Sequence, residues 1–119
     1  MREIVLDTET TGLPRDWNAP ITDTDNWPRV IQIAWQLHDD MGNMIEHQDF
    51  LIRPDGFDIP YDAEQIHGIS TELAKEQGEP LEDVLKLFNE ALSKAKFVVG
   101  QNIQFDINVT GCEFVRTEM

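Results

Sequence analysis

Residues 4–13 read IVLDTETTGL. Ile4, Val5 and Leu6 are consecutive apolar residues, mostly β-branched, and with Glu3 and Asp7 they predict a short buried strand over residues 3–7. Asp7 closes the apolar run, and a second acid, Glu9, follows two positions later. Alternation along a strand puts residues i and i+2 on the same side, so an extended backbone through Thr8 points both carboxylates one way. Two carboxylates held together repel, and the usual relief is a cation or a shared proton. A lone D-x-E is more often a strand surfacing into a polar loop, so its meaning depends on what the rest of the chain brings to it.

Outward from that stretch, residues 8–29 are loop, with Gly12, Pro14, Pro20 and Pro28 breaking any period. Residues 30–38 (VIQIAWQLH) make the clearest strand: Ile31, Ile33, Trp35 and Leu37 fall on one face, Gln32 and Gln36 on the other. Asp39-Asp40-Met41-Gly42-Asn43 is turn chemistry, and residues 44–52 return as a third strand, which predicts an antiparallel hairpin. Helices follow. Asp62-x-x-Gln65 fits a capping pattern for a short helix ended by Gly68, a second helix starts at Ser70, and a third at Pro80. Leu81, Val84, Leu85, Phe88 and Leu92 give the third helix a core-facing stripe.

Residues 97–100 form a wholly apolar fourth strand, and residues 104–116 a last helix with Phe105, Val109, Cys112 and Val115 on one face. Strand four, reached by a helical crossover, is expected to run parallel to strand one in the sheet interior. The fold class is therefore α/β, with three antiparallel strands, then a parallel one, and flanking helices.

The totals set bounds. At 119 residues the chain is one small domain. No apolar run approaches the roughly 20 residues that span a bilayer, and no basic segment precedes an apolar one as in a signal peptide. The single cysteine, Cys112, excludes an internal disulfide and fits a reducing cytoplasm. The net charge of −14 argues against a passive nucleic-acid coat protein, which carries a basic face. It leaves room for an enzyme that acts on nucleic acid through metal ions, because bound cations reverse the local field.

A third acid completes the pattern. Strand four runs out at Gly100, and Gln101-Asn102-Ile103-Gln104-Phe105-Asp106 leads into the last helix. If strands one and four lie parallel and adjacent, Asp106 reaches the same carboxyl-terminal edge of the sheet as Asp7, where ligands of open α/β sheets collect. Three hard oxygen donors meeting there describe a magnesium or manganese site.

With these residues in place, the chain resembles the DEDD superfamily of 3′→5′ exonucleases, particularly the epsilon-type proofreading domain of bacterial DNA polymerase III. Asp7 to Gly12 match its D-T-E-T-T-G motif, Asn102, Phe105 and Asp106 match N-x-x-F-D, and His67-Gly68-Ile69 matches an H-G-I element between them. The resemblance implies a ribonuclease H-like fold and two-metal hydrolysis, with Mg2+ or Mn2+, at a nucleic acid 3′ end, most simply single-stranded DNA. Carried over residue by residue, Asp7 would bridge both ions, with Glu9 and Asp106 ligating one each. Thr8, Thr10 and Leu13 would line the pocket for the terminal nucleotide, and His67, Asn102 and Phe105 would contact substrate. A replicative DNA polymerase is the implied partner.

The family completes its site with a third motif, H-x-x-x-x-D or Y-x-x-x-D, which supplies the general base and fourth acid. No such segment stands in these 119 residues, which end thirteen positions after Asp106. Residues 1–119 are therefore expected to be the N-terminal two-thirds of one exonuclease domain, lacking a C-terminal strand and helix, with weak metal binding and little turnover. An uncovered edge on strand four would then invite self-association. Two other readings stand beside this one: an RNA-trimming exonuclease of the same superfamily, and a catalytically inactive acidic module that docks a protein. Trp35 is expected in the core, whereas the sequence offers no account of Trp17 or Trp27.

Overall fold

The computed structural model describes residues 2–119, which form one four-stranded sheet and four helices. In chain order these are β1 (Glu3–Thr10), β2 (Val30–His38), β3 (Met44–Leu51), α1 (Tyr61–His67), α2 (Thr71–Gln77), α3 (Leu81–Ser93), β4 (Phe97–Val99) and α4 (Ile103–Arg116). The sheet order is β3-β2-β1-β4, with β1 antiparallel to β2 and parallel to β4. This is the ribonuclease H-like mixed sheet expected from the sequence.

Alternation decides the two faces. Leu6 pairs with Trp35, and Ile4 with Leu37; these side chains are buried on one face under α3 and α4, which contribute Val84, Phe88, Ala91, Val109 and Cys112. Trp35 is 1% exposed, packs at a tilt against Phe88 with ring centroids 5.3 Å apart, and donates its indole N–H to Glu46 at 2.7 Å. Burying Phe88 here is worth several methylenes of transfer free energy, and truncation to Ala costs about 3–5 kcal/mol. The opposite face carries Val5, Asp7, Glu9, Gln32 and Gln36, none of them buried. A register shift between Glu9 and Thr10 leaves Val30 and Ile31 both buried, and Ile31 turns instead into a second cluster with Ile59, Ala63, Ile69 and Ala74. Ala63 of α1 and Ala74 of α2 belong to that cluster, so both helices pack on Ile31 at the start of β2.

Several expectations are corrected by particular residues. β1 continues past Asp7 to Thr10, because the D-T-E-T segment alternates as regularly as the apolar run before it. Asp62 does not cap α1: Pro60 holds that place with no side-chain bond, and Asp62 lies inside the first turn, where its charge complements the helix dipole. Gly68 does end α1, at φ 75°, a left-handed conformation that favours glycine. Ser70 caps α2, its hydroxyl accepting from the Leu73 N–H at 3.0 Å. β4 lies at the sheet edge rather than the interior, with Phe97 and Val99 exposed. The buried face of α4 is Asp106, Val109, Thr110, Cys112 and Glu113, turned by about one residue from the apolar stripe expected. Trp27 gains a role: it is buried and donates its indole N–H to the Pro20 carbonyl at 3.0 Å, anchoring the long loop.

Candidate active site

β1 carries Asp7 and Glu9 on one side and Thr8 and Thr10 on the other, as the alternating burial requires. The parallel pairing with β4 ends at Val5 and Val99, three residues short of Thr8. Beyond it the chain passes Gly100, where a Cβ would come within 2.8 Å of the Leu6 carbonyl oxygen and 3.6 Å of an Asp106 oxygen. Only glycine permits that approach, and it brings the first turn of α4 against β1. Asp106 takes the place of the strand partner β4 no longer provides. It accepts from the Thr8 hydroxyl at 2.5 Å.

Asp106 is 5% exposed. Burial pushes its carboxyl above the ordinary value of 3.8; the Thr8 hydroxyl opposes this, and the nearby charges of Asp7 and then Glu9 push it further up. The three acids therefore share one electrostatic neighbourhood. They do not converge on one point: among the described residues no group of three His, Cys, Asp or Glu side chains is close enough to hold a metal ion. One Asp106 oxygen is committed to Thr8, on the side of β1 away from Asp7 and Glu9. In chemistry the set suits a hard divalent cation, since a buried carboxylate near two others is what such a cation relieves. Its spacing is open.

A groove of about 510 Å³ runs beside this cluster, between the end of β1, α1 and the start of α4. Thr8, Glu9, Thr10, Leu13, His67 and Phe105 line it, so five of the six residues expected to bind substrate face one space together with one of the acids. Asn102 does not line it; it is exposed, precedes α4, and its carbonyl accepts from the N–H groups of Phe105 and Asp106. Thr10 folds the following turn by donating its hydroxyl to the Gly12 carbonyl at 2.7 Å. His67 accepts the Ile69 N–H on Nδ1 at 3.1 Å, so the neutral ring carries its proton on Nε2. That Nε2 is buried and has no hydrogen-bond partner among the described residues.

Two features escaped sequence reasoning. Glu113 is fully buried and accepts from Arg29 Nε (3.1 and 3.2 Å), from the Val30 N–H (3.0 Å) and from Arg116 (2.9 Å). The only local trace of this is Arg116, three positions on. Trp17, from the long loop, leans on Phe105 at the groove with ring centroids 5.6 Å apart. A larger cavity of about 600 Å³ lies elsewhere, lined by Arg29, Arg53 and Arg116 but also by Asp55, Glu82 and Asp83, and it holds none of the expected site residues.

Comparison with known proteins follows the same lines. The chain is 37% identical over 112 residues to DNA polymerase III subunit epsilon of Rickettsia felis, and 33% identical over 111 residues to that of Rickettsia prowazekii. It spans 42% of the length of each of these relatives, which cover 90% of this chain. Among solved structures, E. coli exonuclease I in complex with a dT13 oligonucleotide superposes with a TM-score of 0.72 at 26% identity, over 92% of this chain and 22% of that one. Apo exonuclease I gives the same TM-score at 25% identity, over 92% of this chain and 23% of that one. A family model described as exonuclease (RNase_T) matches residues 4–118, and the chain belongs to that exonuclease family.

Proposed function

We propose that the chain forms the nucleotide- and metal-binding part of a 3′→5′ exonuclease that hydrolyses DNA by a two-metal mechanism, in the service of proofreading during replication. The observation that carries this reading is the delivery of Asp106 by α4 to Thr8, within electrostatic reach of Asp7 and Glu9 and beside the groove that Phe105 and Thr8 line. The epsilon subunits among its relatives and the oligodeoxynucleotides bound to exonuclease I favour DNA over RNA as substrate. A replication role carries a polymerase partner and a cytoplasmic location with it.

In this reading Asp7, Glu9 and Asp106 would hold the divalent ions. Bound cations supply charge neutralisation at the scissile phosphate and activation of the attacking water. The chain's own groups do the rest. Thr8 fixes Asp106 through its hydroxyl, which keeps the carboxylate at the site despite its burial. The groove takes the terminal nucleotide, with Leu13 and Phe105 offering apolar surface to the base and Thr10 holding the turn that shapes the wall. Water attack at phosphorus breaks the P–O3′ bond, leaving a 3′-hydroxyl on the strand and releasing a nucleoside 5′-monophosphate. A general base that takes that water's proton completes the chemistry, and without one turnover is expected to be slow.

Product binding is the test that does not depend on turnover. Titration with dTMP in the presence of Mn2+ is expected to give saturable binding that Asp7→Ala abolishes, with UMP binding more weakly. Metal-independent binding of dTMP, or none, contradicts the proposal. Release of label from 3′-labelled strands then separates DNA from RNA as substrate. The exposed apolar edge of β4, with Phe97 and Val99, supports a lesser part of the proposal, self-association by strand pairing. Sedimentation as a monomer at high concentration removes that part.

A further inference from the structure

Trp17 is 49% exposed, although an indole is among the most costly side chains to leave in water. The loop that presents it is not loose. The Asp16 N–H donates to Asn26 Oδ1 at 2.8 Å, Asn26 Nδ2 donates back to the Asp16 carbonyl at 2.9 Å, and Asp16 Oδ1 accepts the Asn18 N–H at 2.9 Å. Asn26 is buried, and Trp27 next to it is pinned to Pro20. The backbone is thus tied on both sides of Trp17, and the indole stands half open with one part against Phe105 at 47°. Phe105 in turn lines the groove.

We propose that Trp17 is a stacking platform for a base upstream of the terminal nucleotide, extending the groove into a subsite for single-stranded nucleic acid. The inference rests on the reading of the groove as the 3′-nucleotide pocket. Its geometry is continuous: Leu13 and Ile66 are exposed apolar lips of the groove, Phe105 closes one end, and Trp17 continues the surface past Phe105. A rigid, half-exposed aromatic next to a nucleotide-sized groove suits a base, whose π-face stacks whatever its identity. Arg15, two residues before Trp17, is exposed and makes no ion pair among the described residues, in a chain where acids outnumber Lys and Arg by 23 to 9. A guanidinium two residues from an aromatic offers what single strands use, charge for the backbone and stacking for the base.

Intrinsic fluorescence gives the test. Trp27 and Trp35 are 2% and 1% exposed, so ligand-induced quenching reports Trp17. The protein is titrated with dTMP and with the tetranucleotide dT4 in Mn2+, and affinities for wild type, Trp17→Ala and Trp17→Phe are measured by competition against a 5′-fluorescein dT4. The account expects dT4 to quench emission, and expects it to bind tighter than dTMP. Trp17→Ala should lose about five- to a hundred-fold in dT4 affinity with dTMP affinity unchanged, and Trp17→Phe should retain most of it. Equal dT4 affinity in wild type and Trp17→Ala overturns the inference, as does dTMP binding with no gain for dT4. Failure of both ligands to bind wild type overturns the nuclease reading, and the inference with it.

Discussion

Two buried carboxylates stand on the same face of α4, seven residues and so about two turns apart, and they are held in opposite ways. Glu113 is ringed by donors: two guanidinium groups and a strand N–H saturate its oxygens, and it locks the entry to β2 against the end of α4. Asp106 has the Thr8 hydroxyl and two neighbouring acids. The first is a buried charge whose neutralisation is already complete. The second is a buried charge whose neighbours make its ionisation harder. Burial alone does not tell a structural acid from a functional one; the sign of what surrounds it does.

The largest effect should come from the saturated end. Glu113→Ala leaves Arg29, Arg116 and the Val30 N–H without their acceptor, and should cost about 3–5 kcal/mol in urea unfolding. A loss under about 1 kcal/mol would mean that the network is decorative and the contrast false. Next, Thr8→Val removes the hydroxyl that favours ionised Asp106, and should cost about 1.5–3 kcal/mol, with Thr8→Ser restoring most of it. If Val is tolerated, Asp106 is not held as described.

Asp106→Asn should do the reverse of Glu113→Ala. Because its carboxyl lies above 3.8 in the folded protein, the native state holds that proton more tightly than the unfolded chain. The ionised form therefore costs stability at neutral pH, and the cost fades as pH falls through the raised value toward 3.8. The Asn variant keeps an acceptor for Thr8 and removes the charge. It should unfold at the same temperature as the parent or slightly higher near pH 7, with the difference closing in acid. A melting point lowered by the substitution at neutral pH counts against this account. The smallest effect is kinetic. Cys112 lies between the two acids on α4, buried, with its thiol pushed above 9.0 chiefly by that burial. Thiol labelling should be slow in the native protein, faster in Glu113→Ala and unchanged in Asp106→Asn.

The difference between these two acids also marks where the sequence was legible. Alternation in VIQIAWQLH and the Asp39–Asn43 turn gave the hairpin, since each depends on neighbours a few positions away. Asp39 indeed accepts from Met41 and Asn43 within its own turn. D-T-E-T-T-G and N-x-x-F-D were legible as the end of a strand and the start of a helix for the same reason: both are local features. What local pattern missed depends on distant partners. Asp106 is answered by Thr8 and Glu113 by Arg29, 98 and 84 positions away. An apolar stripe drawn through Phe105, Val109, Cys112 and Val115 skips both acids, so the buried face of α4 was misplaced by about one residue. β4 was misplaced for a different reason. Three apolar residues read alike at an edge and in an interior, and only the sheet order separates them. Trp17 gave no signal because its loop has no period at all.

The proposed function depends most on Asp7, Glu9 and Asp106 together holding a divalent cation. Calorimetric titration of Mn2+ into the wild type and into Asp7→Ala and Asp106→Asn tests it most directly. The account predicts saturable binding by the wild type that each substitution weakens at least ten-fold, with Glu113 and its arginines undisturbed. Isotherms that are the same for all three proteins would contradict it.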